Sequence, residues 1–203
     1  MLDSRVRRLI DPVLDRVASV LSKSGVDANA VTVFGFLVGA AGCVAIAFQS
    51  YWIALSLLMA NRIADGLDGA IARQRGPTDV GGFLDIVLDM ILYSGVPFAF
   101  AISQAEFTVP AAFLIYSFVG TGGSFLAYAT IAAKRGIRTD SLGKKSFFYS
   151  TGLIEGTETV VFFILCCLLP THFAILAWIF GTLCWVTTVG RILMGVLSFR
   201  EPR

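Results

Sequence analysis

The sequence predicts an all-α integral membrane protein with six transmembrane helices and a juxtamembrane amphipathic helix before them. Of the 203 residues, 56% are hydrophobic and 15% are charged, whereas soluble domains are about 45–50% apolar and about 25% charged. Six apolar stretches reach the roughly 20 residues that a membrane-spanning helix needs. They cover 30–48, 52–72, 82–103, 108–133, 151–169 and 173–197. We therefore expect a single domain over residues 1–203, with the six-helix bundle at 30–197.

The positions of the basic residues predict the orientation of these helices. The loops after the first, third and fifth apolar stretches contain no Lys or Arg, whereas the other connections and both termini are basic. Positive residues mark the cytoplasmic side of a membrane protein. Both termini are therefore expected in the cytoplasm, and the net charge of +2 is explained by topology without a nucleic-acid partner.

The segment 1–24 is predicted to form the amphipathic helix. It places apolar residues on one face and is too charged for the apolar core of a signal peptide. Such a helix lies on the cytoplasmic membrane surface with its Arg residues towards anionic headgroups. The four cysteines, Cys43, Cys166, Cys167 and Cys184, fall in apolar stretches without metal-type spacing, so we expect them to pack in the core.

Four aspartates interrupt the apolar pattern in the stretch "DGLDGAIARQRGPTDVGGFLDIVLD", which begins at residue 65. Asp65 and Asp68 are three residues apart on the second predicted helix, and Asp85 and Asp89 are four apart on the third. Either spacing places both members of a pair on one helical face. Gly76–Pro77 predicts a turn between the two helices. Folding about this turn brings the four carboxylates level with one another, roughly 12–18 Å from it at 1.5 Å per residue.

Four carboxylates in a low-dielectric setting repel one another and cannot all ionise without cations. Ion pairs with Arg62 or Arg73 would explain individual acids, as would helix ends that project into water. A metal site explains four acids in register better, because ionisable residues within membrane spans are functional by default. Oxygen ligands without His or Cys favour Mg²⁺, Mn²⁺ or Ca²⁺ over zinc. Four shared carboxylates suit two ions about 3.5–4 Å apart, an arrangement that supports phosphoryl chemistry.

Small residues flank the acids and leave room for a ligand at the helix faces: Gly69, Ala70, Ala72, Gly81 and Gly82. Glycines in a membrane hairpin, taken alone, indicate close helix packing. Arg73 adds a cation suited to a diphosphate. Together with the acids, these residues favour a phosphate-binding site.

The same stretch resembles the signature of the CDP-alcohol phosphotransferases, or CDP-alcohol phosphatidyltransferases, which are integral membrane enzymes of phospholipid synthesis. Their pattern reads D-x-x-D-G-x-x-A-R, a spacer, and then G-x-x-x-D-x-x-x-D. It is matched by the four aspartates together with Gly69, Ala72, Arg73 and Gly81. The spacer between Arg73 and Gly81 is one residue shorter than usual; Gly82 would restore its length but lies too close to the third aspartate.

A second segment, "GVDANAVTVFG" from residue 25 to 35, is similar to the one that the family places against the nucleotide. Asn29 and Thr32 match the family pattern I-T-P-N-x-x-T, whereas Asp27 and Ala28 replace its Thr and Pro. The segment also suits the start of a helix, with Asp27 or Asn29 as the cap. The resemblance covers essentially the whole chain and points to a bacterial inner-membrane branch of the family.

The resemblance implies transfer of a substituted phosphoryl group, most often from CDP-diacylglycerol, to an acceptor alcohol with release of CMP. It implies that Asp65, Asp68, Asp85 and Asp89 bind two divalent cations, Mg²⁺ or Mn²⁺, and that Asp89 takes the proton of the acceptor hydroxyl. The nucleotide is expected to contact Asn29, Thr32, Asp68, Gly69, Ala72, Arg73 and Gly81. Membrane lipids and a second copy of the chain, in a homodimer, are the other expected partners.

The acceptor site is predicted only as a pair of alternatives. Basic residues after the fourth predicted helix suit a phosphorylated acceptor, although the positive-inside rule explains them equally well; they are Arg138, Lys144 and Lys145. Glu155 and Glu158 share a face of the fifth predicted helix and favour a polyol or an amine, unless Arg191 neutralises one of them.

Two functions from other classes compete with this one. A cation- or proton-coupled transporter also carries intramembrane acids, but the chain has no internal repeat and no pair of broken-helix signals. A non-catalytic member of the same fold would bind lipid or a partner, against which the intact set of four acids argues. Release of CMP from CDP-diacylglycerol by the purified protein separates all three.

Overall fold

The computed structural model describes residues 3–136, 154 and 156–200. This part of the chain forms seven α-helices and no strand, so the all-α prediction is confirmed for it. The helices are α1 (Asp3–Lys23), α2 (Ala28–Ala47), α3 (Tyr51–Arg75), α4 (Asp79–Ser103), α5 (Thr108–Lys134), α6 (Gly156–Leu168) and α7 (Phe173–Phe199). Short 3-10 turns at Ala105–Phe107 and Pro170–His172 precede α5 and α7.

Short polar side chains and one glycine fix the ends of the helices that carry the site. Asp27 caps α2, because its carboxylate accepts a hydrogen bond from the N–H of Ala30 at 3.2 Å. Thr78 caps α4 in the same way. Gly76 ends α3 with φ +98°, a conformation that glycine adopts readily, and Pro77 cannot continue a helix. The predicted turn between the two acid-bearing helices is therefore confirmed.

Four segments of the described chain are long and apolar enough to cross a membrane: Ala28–Ala47, Asp79–Ser103, Ala105–Lys134 and Pro170–Phe199. The other two of the six predicted spans are not confirmed by this criterion. Charged residues, among them Arg62, Asp65 and Asp68, interrupt the apolar character of α3, and α6 has only 13 described residues. Large apolar side chains cover the outside of the bundle, as on a surface that faces lipid.

Helix α2 packs against α3 and α4 through small residues. A Cβ atom added to Gly35 would lie 2.8 Å from the Cβ of Ala64 on α3. One added to Gly39 would lie 2.8 Å from Cδ2 of Leu92 on α4. The amide of the buried Asn61 donates a hydrogen bond to the Gly35 carbonyl at 2.9 Å. Close backbone approach and this hydrogen bond hold the acid-bearing helices in a fixed position relative to α2.

Aromatic packing fills the end of the bundle where α4 finishes and α7 begins. The rings of Phe100 and Phe173 stack with centroids 4.1 Å apart, and Phe107 meets Phe173 edge-on at 5.2 Å. Cys166 and Cys184 are fully buried in the same core, in agreement with the predicted packing role of the cysteines. This apolar end lies opposite the aspartates along the bundle.

The segment "GTGGSFLAYA" on α5 is a site of close helix packing. A Cβ on Gly120 would lie 3.2 Å from Oγ1 of Thr188 on α7, and one on Gly122 would lie 2.8 Å from Sδ of Met90 on α4. Small residues are thus needed where α5 meets both neighbours.

The amphipathic helix α1 packs along α3. Ala18 is buried together with Ala70 and Ile71 of α3, and the side chain of Leu14 lies 2.7 Å from the Cβ position of Gly66. Part of the apolar face of α1 therefore meets protein, whereas Val13, Val17 and Val20 are exposed, and the predicted placement of α1 on the membrane surface stays a prediction.

Gly181→Ala should destabilise the pairing of α5 with α7. The new Cβ would lie 2.6 Å from Cε1 of Phe113 and 2.9 Å from Oγ of Ser117, and Phe113 is itself held against Trp178 at 4.4 Å. We expect a loss of about 1–3 kcal/mol, measured as a lower midpoint of thermal unfolding in detergent. Gly190→Ala is the matched control on the same helix, because no described atom lies within 4 Å of its Cβ position. Equal midpoints for both variants would contradict this packing.

Candidate active site

The α3–α4 hairpin brings all four aspartates to one pocket, as their spacing predicts. The pocket encloses about 250 Å³, including space open to solvent. It lies between α2, α3 and α4, and its polar lining consists of Thr32, Asn61, Asp65, Asp68, Asp85 and Asp89. The remaining lining residues are glycine or apolar, and of the acids Asp68 is buried whereas Asp85 is exposed.

Three of the aspartates converge on one point. One carboxylate oxygen each from Asp65, Asp68 and Asp85 lies within 4.8 Å of the others. Asp68 is only 6% exposed, and its Oδ2 has no hydrogen-bond partner among the described residues. A buried carboxylate oxygen left in this way is costly, and a bound cation would satisfy it. The all-oxygen donor set suits a hard divalent cation such as Mg²⁺ or Mn²⁺. These three residues could therefore hold a metal ion.

The fourth acid, Asp89, is held by an arginine instead. Its Oδ1 lies 2.7 Å from Nη2 of Arg62, and its Oδ2 lies 3.4 Å from Nη1. The same Nη1 is 3.6 Å from Oδ2 of Asp65. Pairing with Arg62 thus compensates the negative charge of Asp89 and part of that of Asp65. The three carboxylates that converge as in a metal site are those of Asp65, Asp68 and Asp85. The assignment of Asp89 as a further metal ligand stays a prediction.

Asn61, Arg62 and Tyr93 belong to the site, and the signature motif does not include them. Asn61 lines the pocket, and the Tyr93 hydroxyl accepts a hydrogen bond from Nη1 of Arg62 at 3.2 Å. Asn61 lies four residues before Asp65, and Tyr93 lies four residues after Asp89. A polar side chain one helical turn from an intramembrane acid shares its face, and this spacing was the signal available in the sequence.

The start of α2 meets the start of α4 beside the acids. A Cβ on Gly81 would lie 2.9 Å from Oδ1 of Asn29, whereas the Cβ position of Gly82 has no described atom within 4 Å. Of Gly81 and Gly82, the two candidates for the glycine of the family motif, Gly81 is therefore the one at the close contact between α2 and α4. Thr32 lines the pocket one turn along α2 from Asn29, and its hydroxyl donates to the Ala28 carbonyl at 3.0 Å.

Arg73 lies at the contact between α1 and α3. Its Nη2 is 3.5 Å from Oδ1 of Asp15, and both side chains are about half exposed. Its Nη1 is 3.5 Å from the Cβ position of Gly69, so these two signature residues are neighbours. The Ala72 carbonyl accepts the N–H of Gly76 at 2.9 Å and closes the last turn of α3. The expected contact of Arg73 with a diphosphate stays a prediction.

Of the residues predicted for the acceptor, the structure describes Glu158 and Arg191, so the predicted acceptor site stays a prediction. Arg138, Lys144, Lys145 and Glu155 lie outside the described residues. Glu158 lies in the first turn of α6. Arg191 is buried on α7, donates to the Thr121 carbonyl at 2.8 Å and to Ser124 Oγ at 3.2 Å, and does not line the pocket of the aspartates. Arg191 thus links α7 to α5.

Comparison with known families identifies the chain. The family model described as CDP-alcohol phosphatidyltransferase matches residues 26–193. The chain belongs to this family. The matched residues include the whole α3–α4 hairpin and the start of α2, so the resemblance read from the sequence is confirmed. The family is described as phosphatidyltransferases, and relatives of the chain are named as synthases, so the prediction of a phosphatidyltransferase is confirmed.

Two relatives and one solved structure show how far the similarity extends. The chain is 45% identical over 202 residues to the inner membrane protein YnjF of Escherichia coli, covering 99% of this chain and 98% of that protein. It is 42% identical over 87 residues to the archaetidylinositol phosphate synthase of Methanothermobacter thermautotrophicus, or 42% of this chain and 41% of that one. The crystal structure of the phosphatidylinositol phosphate synthase PgsA1 of Mycobacterium tuberculosis with CDP-DAG bound superposes with a TM-score of 0.66 at 19% identity. That superposition covers 91% of this chain and 94% of PgsA1, and it shows a shared fold.

These similarities also bear on location. YnjF, the relative matched over 99% of this chain, is named an inner membrane protein. The described helices include four that are long and apolar enough to span a bilayer. The chain is an integral membrane protein.

Gly81→Ala should impair use of the CDP-alcohol, because its methyl group would press on Asn29 at the contact of α2 with α4. We expect the apparent KM for the CDP-alcohol donor to rise by about tenfold or more, with a smaller change in the KM of the acceptor. Gly82→Ala, with open space at its Cβ position, is the control in the neighbouring residue and should stay near the wild-type value. A larger effect at Gly82 would reverse the assignment.

Proposed function

We propose that this protein transfers a phosphatidyl group from CDP-diacylglycerol to an acceptor alcohol and releases CMP. The observation that carries the proposal is the convergence of Asp65, Asp68 and Asp85 in a pocket that Asp89 also lines. Family membership supports the reaction class. The solved relative that shares the fold has CDP-DAG bound, which supports CDP-diacylglycerol as the donor.

In this proposal Asp65, Asp68 and Asp85 hold Mg²⁺ or Mn²⁺, and we expect two ions as in other phosphoryl-transfer sites. Bound divalent cations would neutralise the diphosphate and make its phosphorus more electrophilic. Asn29, Thr32, Gly69, Ala72, Arg73 and Gly81 provide the cytidine and diphosphate contacts, with Asp68 between the nucleotide and the metal. Arg73 would exchange its exposed pairing with Asp15 for the stronger charge of a diphosphate.

Asp89 is proposed as the general base. The acceptor oxygen forms a bond to the phosphorus that carries the diacylglycerol, and the bond from that phosphorus to the bridging oxygen breaks. CMP leaves with the electron pair of the broken bond, and the hydroxyl proton passes to the Asp89 carboxylate. The side chain of Asp89 is 28% exposed, so an acceptor can reach it from the open side of the pocket.

The acceptor is proposed only as a class, an alcohol that enters beside Asp89. The archaeal relatives named archaetidylinositol phosphate synthase make inositol phosphate one member of a useful acceptor panel. Arg138, Lys144, Lys145 and Arg191 would serve such an anionic acceptor, and Glu155 and Glu158 would serve a neutral polyol or an amine. Comparing phosphorylated with unphosphorylated acceptors decides between these sets.

We further propose six spans, with α3 and the segment that contains α6 as the two additional ones. The carboxylates of α3 are tolerated because they face the pocket and not lipid. Arg16, Lys23, Arg73 and Arg75 lie at the same end of the α1–α3 contact and would place that end and the pocket at the cytoplasmic face. A homodimer in the inner membrane remains part of the proposal.

The direct test is release of CMP from CDP-diacylglycerol by the purified protein with Mg²⁺ or Mn²⁺, screened over the acceptor panel. Asp65→Asn, Asp68→Asn and Asp85→Asn should each lower turnover by at least about 100-fold, because each removes a charged ligand from a cation site. Glu106→Gln, which removes an acid beyond the far end of α4, should leave turnover unchanged. Near-normal turnover in all three Asn variants would exclude the metal assignment, and no release of CMP with any acceptor would exclude the reaction.

Asp89→Asn should separate donor binding from transfer. At saturating Mg²⁺ we expect it to bind CDP-diacylglycerol within about threefold of wild type, while turnover falls by about 10²–10⁴-fold, the usual contribution of a general base. Asp85→Asn, measured beside it, should lose donor binding as well. If both variants lose binding equally, Asp89 is a ligand and another residue must take the proton.

A further inference from the structure

Arg62 lies in the middle of a predicted membrane helix, and each of the three nitrogens of its guanidinium donates a hydrogen bond. Its side chain is 16% exposed. Besides the two contacts to Asp89, Nε donates to Oδ1 of Asn61 at 2.8 Å and Nη1 donates to the Tyr93 hydroxyl at 3.2 Å. The guanidinium carbon lies 5.4 Å from the centroid of the Tyr93 ring, within the range of a cation–π contact. The orientation of Arg62 is therefore fixed independently of Asp89.

A continuous chain of hydrogen bonds connects Asp89 to the backbone of α2. The Gly35 carbonyl accepts from Asn61, Asn61 Oδ1 accepts from Arg62, and Arg62 grips Asp89 with both terminal nitrogens. Each member has its partner on another helix or in the adjacent residue, so the chain crosses α2, α3 and α4. Asp89 is thus held at a defined position and not merely neutralised.

Arg62 makes its shortest contact with Asp89, at 2.7 Å, whereas Asp65 is its more distant partner at 3.6 Å. Asp65, Asp68 and Asp85 have oxygens within 4.8 Å of one another, while both oxygens of Asp89 face Arg62 nitrogens. An unrestrained carboxylate that lines the same pocket as a divalent cation would be drawn to it as a further ligand. An ionised carboxylate has about four lone-pair sites, and the contacts to Arg62 use one on each oxygen of Asp89, which leaves a site for the proton of an acceptor.

We propose that Arg62 is a positioning residue that withholds Asp89 from the metal-binding acids and so reserves it for the acceptor hydroxyl. This inference rests on the proposed function, in which Asp89 is the base. The alternative is that Arg62 only balances the surplus negative charge of the pocket. The two roles make different demands on the side chain at position 62. Any cation would balance the charge, whereas positioning needs the planar guanidinium, with its two parallel N–H donors, that only arginine provides.

The first experiment measures Mn²⁺ affinity by calorimetry in the absence of substrate, in wild type, Arg62→Gln and the double variant Arg62→Gln/Asp89→Asn. The double variant removes both members of the ion pair, so the net charge of the pocket is unchanged. If Asp89 is withheld, its Mn²⁺ affinity stays within about threefold of wild type, and Arg62→Gln alone binds Mn²⁺ at least about tenfold more tightly as Asp89 joins the other acids. A fall of more than about threefold in the double variant shows that Asp89 already binds metal and overturns the proposal.

The second experiment separates position from charge by kinetics. Arg62→Lys keeps the charge and loses the fork, and we expect kcat to fall by about tenfold or more while the KM for CDP-diacylglycerol changes by less than about twofold. Full wild-type kcat in Arg62→Lys overturns positioning in favour of charge balance. Arg75→Gln is the matched control: this arginine is on the same helix and donates to Ser22 on α1, so kcat and Mn²⁺ affinity should stay at wild-type values.

The outcomes show separately whether the positioning role of Arg62 fails and whether the proposed function fails. If wild type releases no CMP with any acceptor, the proposed function fails, but the Mn²⁺ titrations still report whether Arg62 withholds Asp89. If Arg62→Gln cannot be isolated in a folded state, Arg62→Lys and Arg62→Lys/Asp89→Asn replace it. In that charge-retaining pair, tighter Mn²⁺ binding by the single variant than by wild type supports the proposal, and unchanged or weaker binding overturns it.

Discussion

Mutual repulsion of four carboxylates in a largely apolar bundle is the constraint on which the rest of this structure depends. Charges of one sign in a low dielectric need either a cation or an ion-pair partner. The chain uses both solutions within one pocket: Arg62 meets Asp89 at 2.7 Å, and the other three acids converge as a cation site does. Moving α3 relative to α4 would separate these charges from their partners, so the positions of the two helices are closely linked.

Close packing of the helices fixes the positions of the side chains in the pocket. Glycines on α2 let its backbone approach α3 and α4 until Asn61 can bond the Gly35 carbonyl. The α1 helix packs on the outer face of α3 through Ala18, and the stacked rings of Phe100 and Phe173 fill the opposite end of the bundle. Rigid apolar packing around a polar pocket holds functional groups more precisely than loops can.

Much of the site was predictable because it is built within one hairpin. Helical periodicity puts Asp65 with Asp68 and Asp85 with Asp89, and the Gly76–Pro77 turn sets the register that brings the pairs level. The same reasoning could not place Arg73 or Arg191, since long cationic side chains choose among partners on other helices. Arg73 pairs with Asp15 on α1, and Arg191 bonds the Thr121 carbonyl on α5. These contacts join residues 58 and 70 positions apart, a separation that local pattern does not encode.

The sequence by itself determined the helical membrane class, the hairpin with its four acids and the family to which the chain belongs, because composition, helical period and a long local motif are properties of neighbouring residues. The tertiary structure alone decided that Asp89 is gripped by Arg62 while its three companions converge, and that Gly81, not Gly82, lies against Asn29. Both outcomes depend on where one helix face meets another to within about an ångström, which is set by side-chain packing across the bundle and not by order along the chain.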